Sequence, residues 1–408
     1  MESIRVRDNF KTIYRRLLKN TTYSTHRYLY KSFSTDSRLT GLVGPRGTGK
    51  TTLLLQYINE QITNKNQCIY LSLDNIYFTQ VNLIDFVDDL YQIDGIRYLF
   101  LDEVHKYQNW DQELKNIYDS YPDIKIVFSG SSSMDLIRGT FDLSRRGSLF
   151  RLGGMSFREY LEFRLNRTIP SIAFRDLLKN PENLVEQLSN IERIKGHFLE
   201  YLENGYYPFL FEDEANYHQK ILNVIDKTIY EDISNFYKLK TENLINFRKI
   251  LSYLATIPPG QLNRNSISKH IGLDNRTVEN YLRILHETGL VCLIKENKAG
   301  SSLLKSTEKI YLDNSNIYKA IIDEIGFEYN KGTVREIFFI KMLQNSNENV
   351  FYGKIGDFQV QDFNFEIGGK SKSKKQIRDN LENSFLVKDD ILHPSANIIP
   401  LHFFGFLY

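Results

Sequence analysis

Short apolar runs punctuate the first part of the chain: LTGLVG (39–44), CIYLSLD (68–74), YLFLDE (98–103), IKIVFSGSS (124–132) and SLFRL (148–152). Each is apolar almost throughout, without polar alternation, which marks a strand covered on both faces. Helix-period stretches fall between them, one over 50–62. The pattern predicts βαβ units and a parallel sheet.

Beyond residue 156 the rhythm changes. Residues 156–240 read mostly as helix, broken by GYYPFLFED (205–213), whose glycine and proline suffice for a break. Leu244, Phe247, Leu251 and Leu254 lie on one helical face. A short helix with Ile267 and Ile271 follows, then a turn at Gly272, with Asp274 or Asn275 able to cap the next helix. In that helix Val278, Tyr281, Leu282 and Leu285 point inward, and Arg276, Thr277, Asn280 and Arg283 outward. The strand LVCLIKE (290–296), a turn over 297–300 and the strand KIYLD (309–313) complete a helix-turn-helix with a wing. GTVREIFFIKML (332–343) reads as a helix carrying Glu336. Residues 350–380 read as two strands, a basic loop and a helix, and NIIPLHFFGFLY (397–408) as a buried last strand.

Composition narrows this little. A chain of 408 residues has room for two to four domains, and 41% hydrophobic with 25% charged residues is ordinary for a globular protein. The net charge of +2 supplies no whole-protein field for nucleic acid, so such binding would need local patches. The two cysteines, Cys68 and Cys292, have no metal spacing and read as small core residues. Trp110, the single tryptophan, reads as a packing anchor. MESIRVRDNF lacks an apolar signal region and no stretch is apolar enough for a membrane helix, so the expectation is a cytoplasmic protein without membrane contact.

The chemistry concentrates at Gly44-Pro45-Arg46-Gly47-Thr48-Gly49-Lys50-Thr51-Thr52. This fits G-x-x-x-x-G-K-[ST], in which backbone N–H groups wrap a phosphate and the helix N-terminus adds its donors. Lys50 would reach the β- and γ-phosphates and Thr51 would ligate Mg²⁺. Asp102 and Glu103 end an apolar run, at the strand end where parallel sheets bind ligands. Asp102 would hold Mg²⁺, usually through water, and Glu103 would activate the attacking water. Ser129 or Ser131 could bond the γ-phosphate or that water; both also suit a plain turn. Arg145 and Arg146 are either solvated charge or a source of transition-state stabilisation for a neighbouring subunit's phosphate. His105 either couples the acids to a partner or is a surface or packed histidine.

With GPRGTGKTTLL, YLSLDN, YLFLDEVHKYQNWDQELKNIYDSYPDIKIVFSGSSSMDL, DLSRRG and LGGMSFREYLEF, residues 35–165 resemble the AAA+ branch of P-loop ATPases. More narrowly, they resemble the bacterial and archaeal group whose C-terminal part is similar to a restriction endonuclease. The resemblance implies an α/β fold: an AAA+ core over 1–160, a helical lid over 161–240, a winged helix over 241–313 and an endonuclease-like domain over 314–408. It implies ATP and Mg²⁺ as ligands and a homo-oligomer with a finger acting in trans. It also implies a serine-ended strand between the phosphate-loop strand and the Asp-Glu strand, which supports Ser129 or Ser131 as sensor. The finger would stand just before the last core strand, which supports Arg145 or Arg146.

Asp357 and Glu366, with a basic loop after them, resemble the PD-(D/E)XK nuclease core, where acids hold Mg²⁺ and a lysine two residues after the Glu assists. Here Gly368 occupies that position, and only Lys370 or Lys372 could reach in from the loop. The expectation is therefore a blunted domain that holds DNA or protein without cleaving. DNA is an expected partner through the winged helix, with Lys298 and Lys305 near its wing, and through the basic loop KSKSKK (370–375). The competing expectation is a nucleotide-gated scaffold whose winged helix binds protein.

Overall fold

The computed structural model describes residues 2–21, 25–130, 147–260, 263–298, 308–353, 355–369, 372 and 383–408, with side chains from residue 5 onward. The chain divides into two compact units, Met1–Gly153 and Gly154–Tyr408. The division falls a few residues before the boundary expected at 160, and the segments expected as lid, winged helix and C-terminal domain all belong to the second unit.

In the first unit every apolar run forms a strand: β1 (Leu39–Val43), β2 (Cys68–Ser72), β3 (Tyr98–Asp102), β4 (Lys125–Gly130) and β5 (Gly147–Arg151). They pair in parallel in the order β2-β3-β4-β1-β5. Strand β4 thus lies between β1 and β3, as the resemblance implies. Successive residues face opposite sides, so each strand feeds two cores. Val43, Leu71, Leu101 and Phe128 pack with α3 (Leu83–Gln92) and α4 (Trp110–Ser120), where Trp110 lies 5.9 Å from Phe128 between ring centres. Leu42, Tyr70, Phe100 and Val127 pack with α1 (Glu2–Asn20) and α2 (Lys50–Gln61). Cys68 is free and buried in that second layer.

The second unit begins with α5 (Phe157–Leu165), whose start is fixed by a capping box between Ser156 and Glu159. Helices α6 (Phe174–Lys179), α7 (Glu182–Leu188), α8 (Ile194–Asn204) and α9 (Tyr217–Lys227) follow, with a 3₁₀ turn at Pro208–Phe211 where the glycine and proline predict a break. A π-helical turn, Thr228–Ile233, leads into α10 (Ser234–Tyr237). Next come α11 (Thr241–Thr256), α12 (Arg264–Ile271) and α13 (Asn275–Glu287). Of the two candidate caps, Asp274 is the one used: its carboxylate accepts from the Arg276 and Thr277 amides at 3.0 Å. Strands β6 (Val291–Lys295) and β7 (Glu308–Leu312) form an antiparallel pair. Helix α14 (Ser315–Ile325) packs against α8, α9 and α11.

Helix α15 (Lys331–Asn345) precedes a mixed sheet of β8 (Val350–Tyr352), β9 (Phe358–Val360), β10 (Phe363–Gly368), β11 (Ser384–Lys388) and β12 (Ile398–Pro400), in the order β12-β11-β10-β9-β8. Two corrections to the sequence reading arise here. Residues 350–368 make three strands, not two, because turns at 355–357 and 361–362 divide them. The apolar tail is a strand only to Pro400, which lacks a ladder donor. From Leu401 to Phe406 it coils into a buried 3₁₀ helix.

Candidate functional site

The phosphate-loop motif joins β1 to α2. Gly47 and Gly49 both have positive φ, and Gly49 (φ 91°) is the residue before the helix, a backbone that side chains rarely take. Within the loop, Thr48 Oγ1 donates to the Pro45 carbonyl at 2.9 Å. The buried Lys50 amine donates to the carbonyls of Gly44 (2.9 Å) and Pro45 (3.0 Å). The amine therefore already lies across the mouth of the loop. Arg46 and Thr52 are half-buried. Arg27, which the sequence did not single out, lies behind the loop: its buried guanidinium donates to the Thr48 carbonyl and, at 2.8 Å, to the Gly153 carbonyl.

Asp102, at the end of β3, is buried and surrounded by donors. Its Oδ2 accepts from Thr51 Oγ1 at 2.6 Å and from the Tyr70 phenol at 2.6 Å. Its Oδ1 accepts from the Ser129 hydroxyl and, at 3.1 Å, from the Glu103 amide. Thr51 and Asp102 are hard oxygen donors side by side, a set that suits Mg²⁺. Burial and the Asp102 charge push the Tyr70 phenol far above its ordinary pKa, so it remains a donor.

Glu103 has a left-handed backbone (φ 55°, ψ 39°). One carboxylate oxygen is 3.5 Å from His105 Nε2, and the histidine side chain is only 3% exposed. His105 is thus the packed alternative of the sequence reading, placed beside the candidate base. Ser129 lies against Asp102. Ser131, Arg145 and Arg146 lie outside the described residues.

In the second unit the outward face of α13 carries exposed Arg276, Asn280 and Arg283. Neighbouring cations are neutralised locally: Arg264 reaches Glu308 at 3.2 Å and Glu279 at 3.9 Å, and Lys298 reaches Glu296 at 2.6 Å. Lys305 lies outside the described residues.

The C-terminal acids converge as well. Glu366, on β10, is fully buried, and its Oε1 is 2.5 Å from Lys372 Nζ. A Cβ on Gly368 would fall 2.5 Å from the Lys372 Cβ and Cγ, so glycine there gives the lysine its path. The two-residue spacing denies Glu366 a lysine, and the loop returns one. Asp357, just before β9, accepts from the Ile367 amide at 2.8 Å, and Glu336 accepts from the Tyr311 phenol at 2.8 Å. Burial, with Asp357 adding to it, pushes Glu336 up to about 7 against the bond from Tyr311. Burial also raises Glu366 more than Lys372 lowers it. Among the described residues no group of three or more His, Cys, Asp or Glu is arranged to hold a metal ion. Lys370 and residues 373–382 lie outside the description. No helix among the described residues is long and apolar enough to cross a membrane.

Residues 36–161 match a family model described as an AAA domain. The first unit therefore holds a P-loop domain of the AAA type on a parallel α/β sheet. Residues 195–326 match a model described as a domain of unknown function, DUF8612. The uncharacterized protein MJ1637 of Methanocaldococcus jannaschii is 28% identical over 400 residues, covering 90% of this chain and 84% of that protein. MJ1544 of the same organism is 23% identical over 357 residues, covering 82% of this chain and 73% of that protein. Among solved structures, AMPPCP-bound DnaA from Aquifex aeolicus overlays 67% of this chain and 86% of that one, at 19% identity and a TM-score of 0.26. PCH-2 of C. elegans overlays 66% of this chain and 67% of that one, at 14% identity and a TM-score of 0.25. At these scores the overlays carry no functional inference.

Proposed function

We propose that the chain binds ATP at the loop Gly44–Thr52 and hydrolyses it to ADP and phosphate, and that the nucleotide state is read out by the second unit. The observation that carries this is the Thr51–Asp102 contact of 2.6 Å beside a loop whose mouth already holds the Lys50 amine. Loop amides and the start of α2 bind the phosphates, and Lys50 offsets charge on the β- and γ-oxygens. Thr51 and Asp102 would hold Mg²⁺, which when bound neutralises charge developing on the phosphate oxygens. Glu103 takes a proton from the attacking water. The water oxygen bonds to the γ-phosphorus, and the bond to the β–γ bridging oxygen breaks. Arg145 or Arg146, supplied to a neighbouring copy, would stabilise that transition state, and Ser129 or Ser131 would sense the γ-phosphate.

The test is ATP turnover and nucleotide binding by wild type and Lys50→Ala. The variant is expected to lose turnover by at least about 100-fold; unchanged hydrolysis in a clean preparation rules the site out.

In this reading β6, β7 and the helices before them act as a winged helix on DNA, through Arg276 and Arg283, and the C-terminal sheet is an endonuclease-like fold that does not cleave. The pairing of Arg264 and Lys298 with glutamates favours a second reading, in which the wing binds protein and ATP gates a scaffold. A salt-dependent mobility shift of duplex DNA, abolished by Arg276→Ala with Arg283→Ala, separates the two.

A further inference from the structure

Asp102 has two neighbours that a phosphate-loop site leads one to look for, Thr51 and Ser129. The phenol of Tyr70 belongs to neither the motif nor the strand that carries the acids. It comes from β2, where Tyr70 pairs with Phe100 and Ser72 with Asp102. Paired residues of parallel strands and residues two apart share a face, so Tyr70 and Asp102 both point toward α2. Tyr70 starts one pleat below the carboxylate, and its ring spans that distance to place the oxygen 2.6 Å from Asp102 Oδ2. No shorter hydroxyl side chain at this position would reach. The ring is 5% exposed and packed in the apolar layer with Phe100 and α2, so its rotamer is held by packing.

We infer that Tyr70 is a positioning residue for the magnesium-nucleotide site, holding the Asp102 carboxylate in register with Thr51. This rests on the ATPase reading above. Oδ2 is the oxygen shared by Tyr70 and Thr51, while Oδ1 is taken by Ser129 and the Glu103 amide. The carboxylate is thus clamped from β2, β4, α2 and its own strand. Removing the phenol frees Oδ2 to turn away from Thr51 without opening a space or stranding a charge. Partners that orient a metal ligand in this manner typically affect metal affinity by 10–100-fold when removed.

The test compares wild type, Tyr70→Phe, Asp102→Asn and the double variant, with binding of a non-hydrolysable ATP analogue measured in Mg²⁺ and in EDTA. Wild type is expected to bind more tightly with Mg²⁺. Tyr70→Phe is expected to keep its affinity in EDTA within about twofold while the gain from Mg²⁺ shrinks roughly tenfold, and to need correspondingly more Mg²⁺ for half-maximal hydrolysis. In the Asp102→Asn background the same change should have no further effect on the Mg²⁺ gain. A Tyr70→Phe protein with the wild-type Mg²⁺ gain overturns the inference, as does one weakened equally in Mg²⁺ and EDTA, the outcome of a purely structural role. Wild type that binds no nucleotide under either condition overturns the ATPase reading, and this inference with it.

Discussion

Two carboxylates, one in each unit, are buried on strands, Asp102 at the end of β3 and Glu366 within β10, and they are satisfied in opposite ways. Asp102 is held by neutral donors: three hydroxyls and a backbone amide. Glu366 is held by a full positive charge, the Lys372 amine. A carboxylate dressed in hydroxyls has no cation of its own among these partners and remains a place for one to arrive. A carboxylate that already has its ammonium has the cation built in, and Glu336 nearby is drawn toward neutrality by burial. The first arrangement suits a ligand that comes and goes, the second a fixed structure.

Breaking the first arrangement should have the largest effect on function and little on folding. Asp102→Asn is expected to lower ATP turnover by roughly 100-fold or more, with the melting temperature within a few degrees of wild type; a variant that hydrolyses at the wild-type rate would show that Asp102 takes no part. Breaking the second should do the reverse. Lys372→Met leaves Glu366 buried without its amine. Because the lysine side chain is about one-third exposed, the expected loss is about 1–3 kcal/mol in chemical denaturation, below the figure for a fully buried pair, with ATP turnover unchanged. An equally stable variant would mean that the pair contributes nothing.

The smallest effect sharpens the contrast through pH. Glu336 has a pKa near 4.5 when unfolded and about 7 when folded. Between those values the folded chain holds a proton that the unfolded chain has released. The stability from this group is therefore complete below pH 4.5 and declines as pH rises to 7. Glu336→Gln should flatten that part of the profile in urea melts; an unchanged slope would assign it to other groups.

The first site was largely legible because its parts are local. Loop, lysine and threonine are contiguous, and an apolar run ending in Asp102-Glu103 marks its own strand end. Tyr70 and Arg27 were not legible, since each reaches its partner across elements far apart in sequence. A buried tyrosine in CIYLSLD looks like any other core residue until the register of β2 on β3 is known. Lys372 was only half legible. Its charge was visible, but its reach depends on the path across Gly368, which no residue spacing states. The division of the tail into strand and 3₁₀ helix was hidden for a different reason, because a run buried on every side has no periodicity to read.

The left-handed turn at Glu103 has a consequence for where the acid sits. Glycine would rest there at ease, while any L-residue with a Cβ tolerates that conformation at about 1–2 kcal/mol. The chain bears a similar cost at Arg193, Lys238 and Ala396, so what sets Glu103 apart is where its side chain lies. At Glu103 the turn sets the carboxylate 3.5 Å from the packed His105 imidazole, so relaxing the backbone there would carry the acid away from its neighbour.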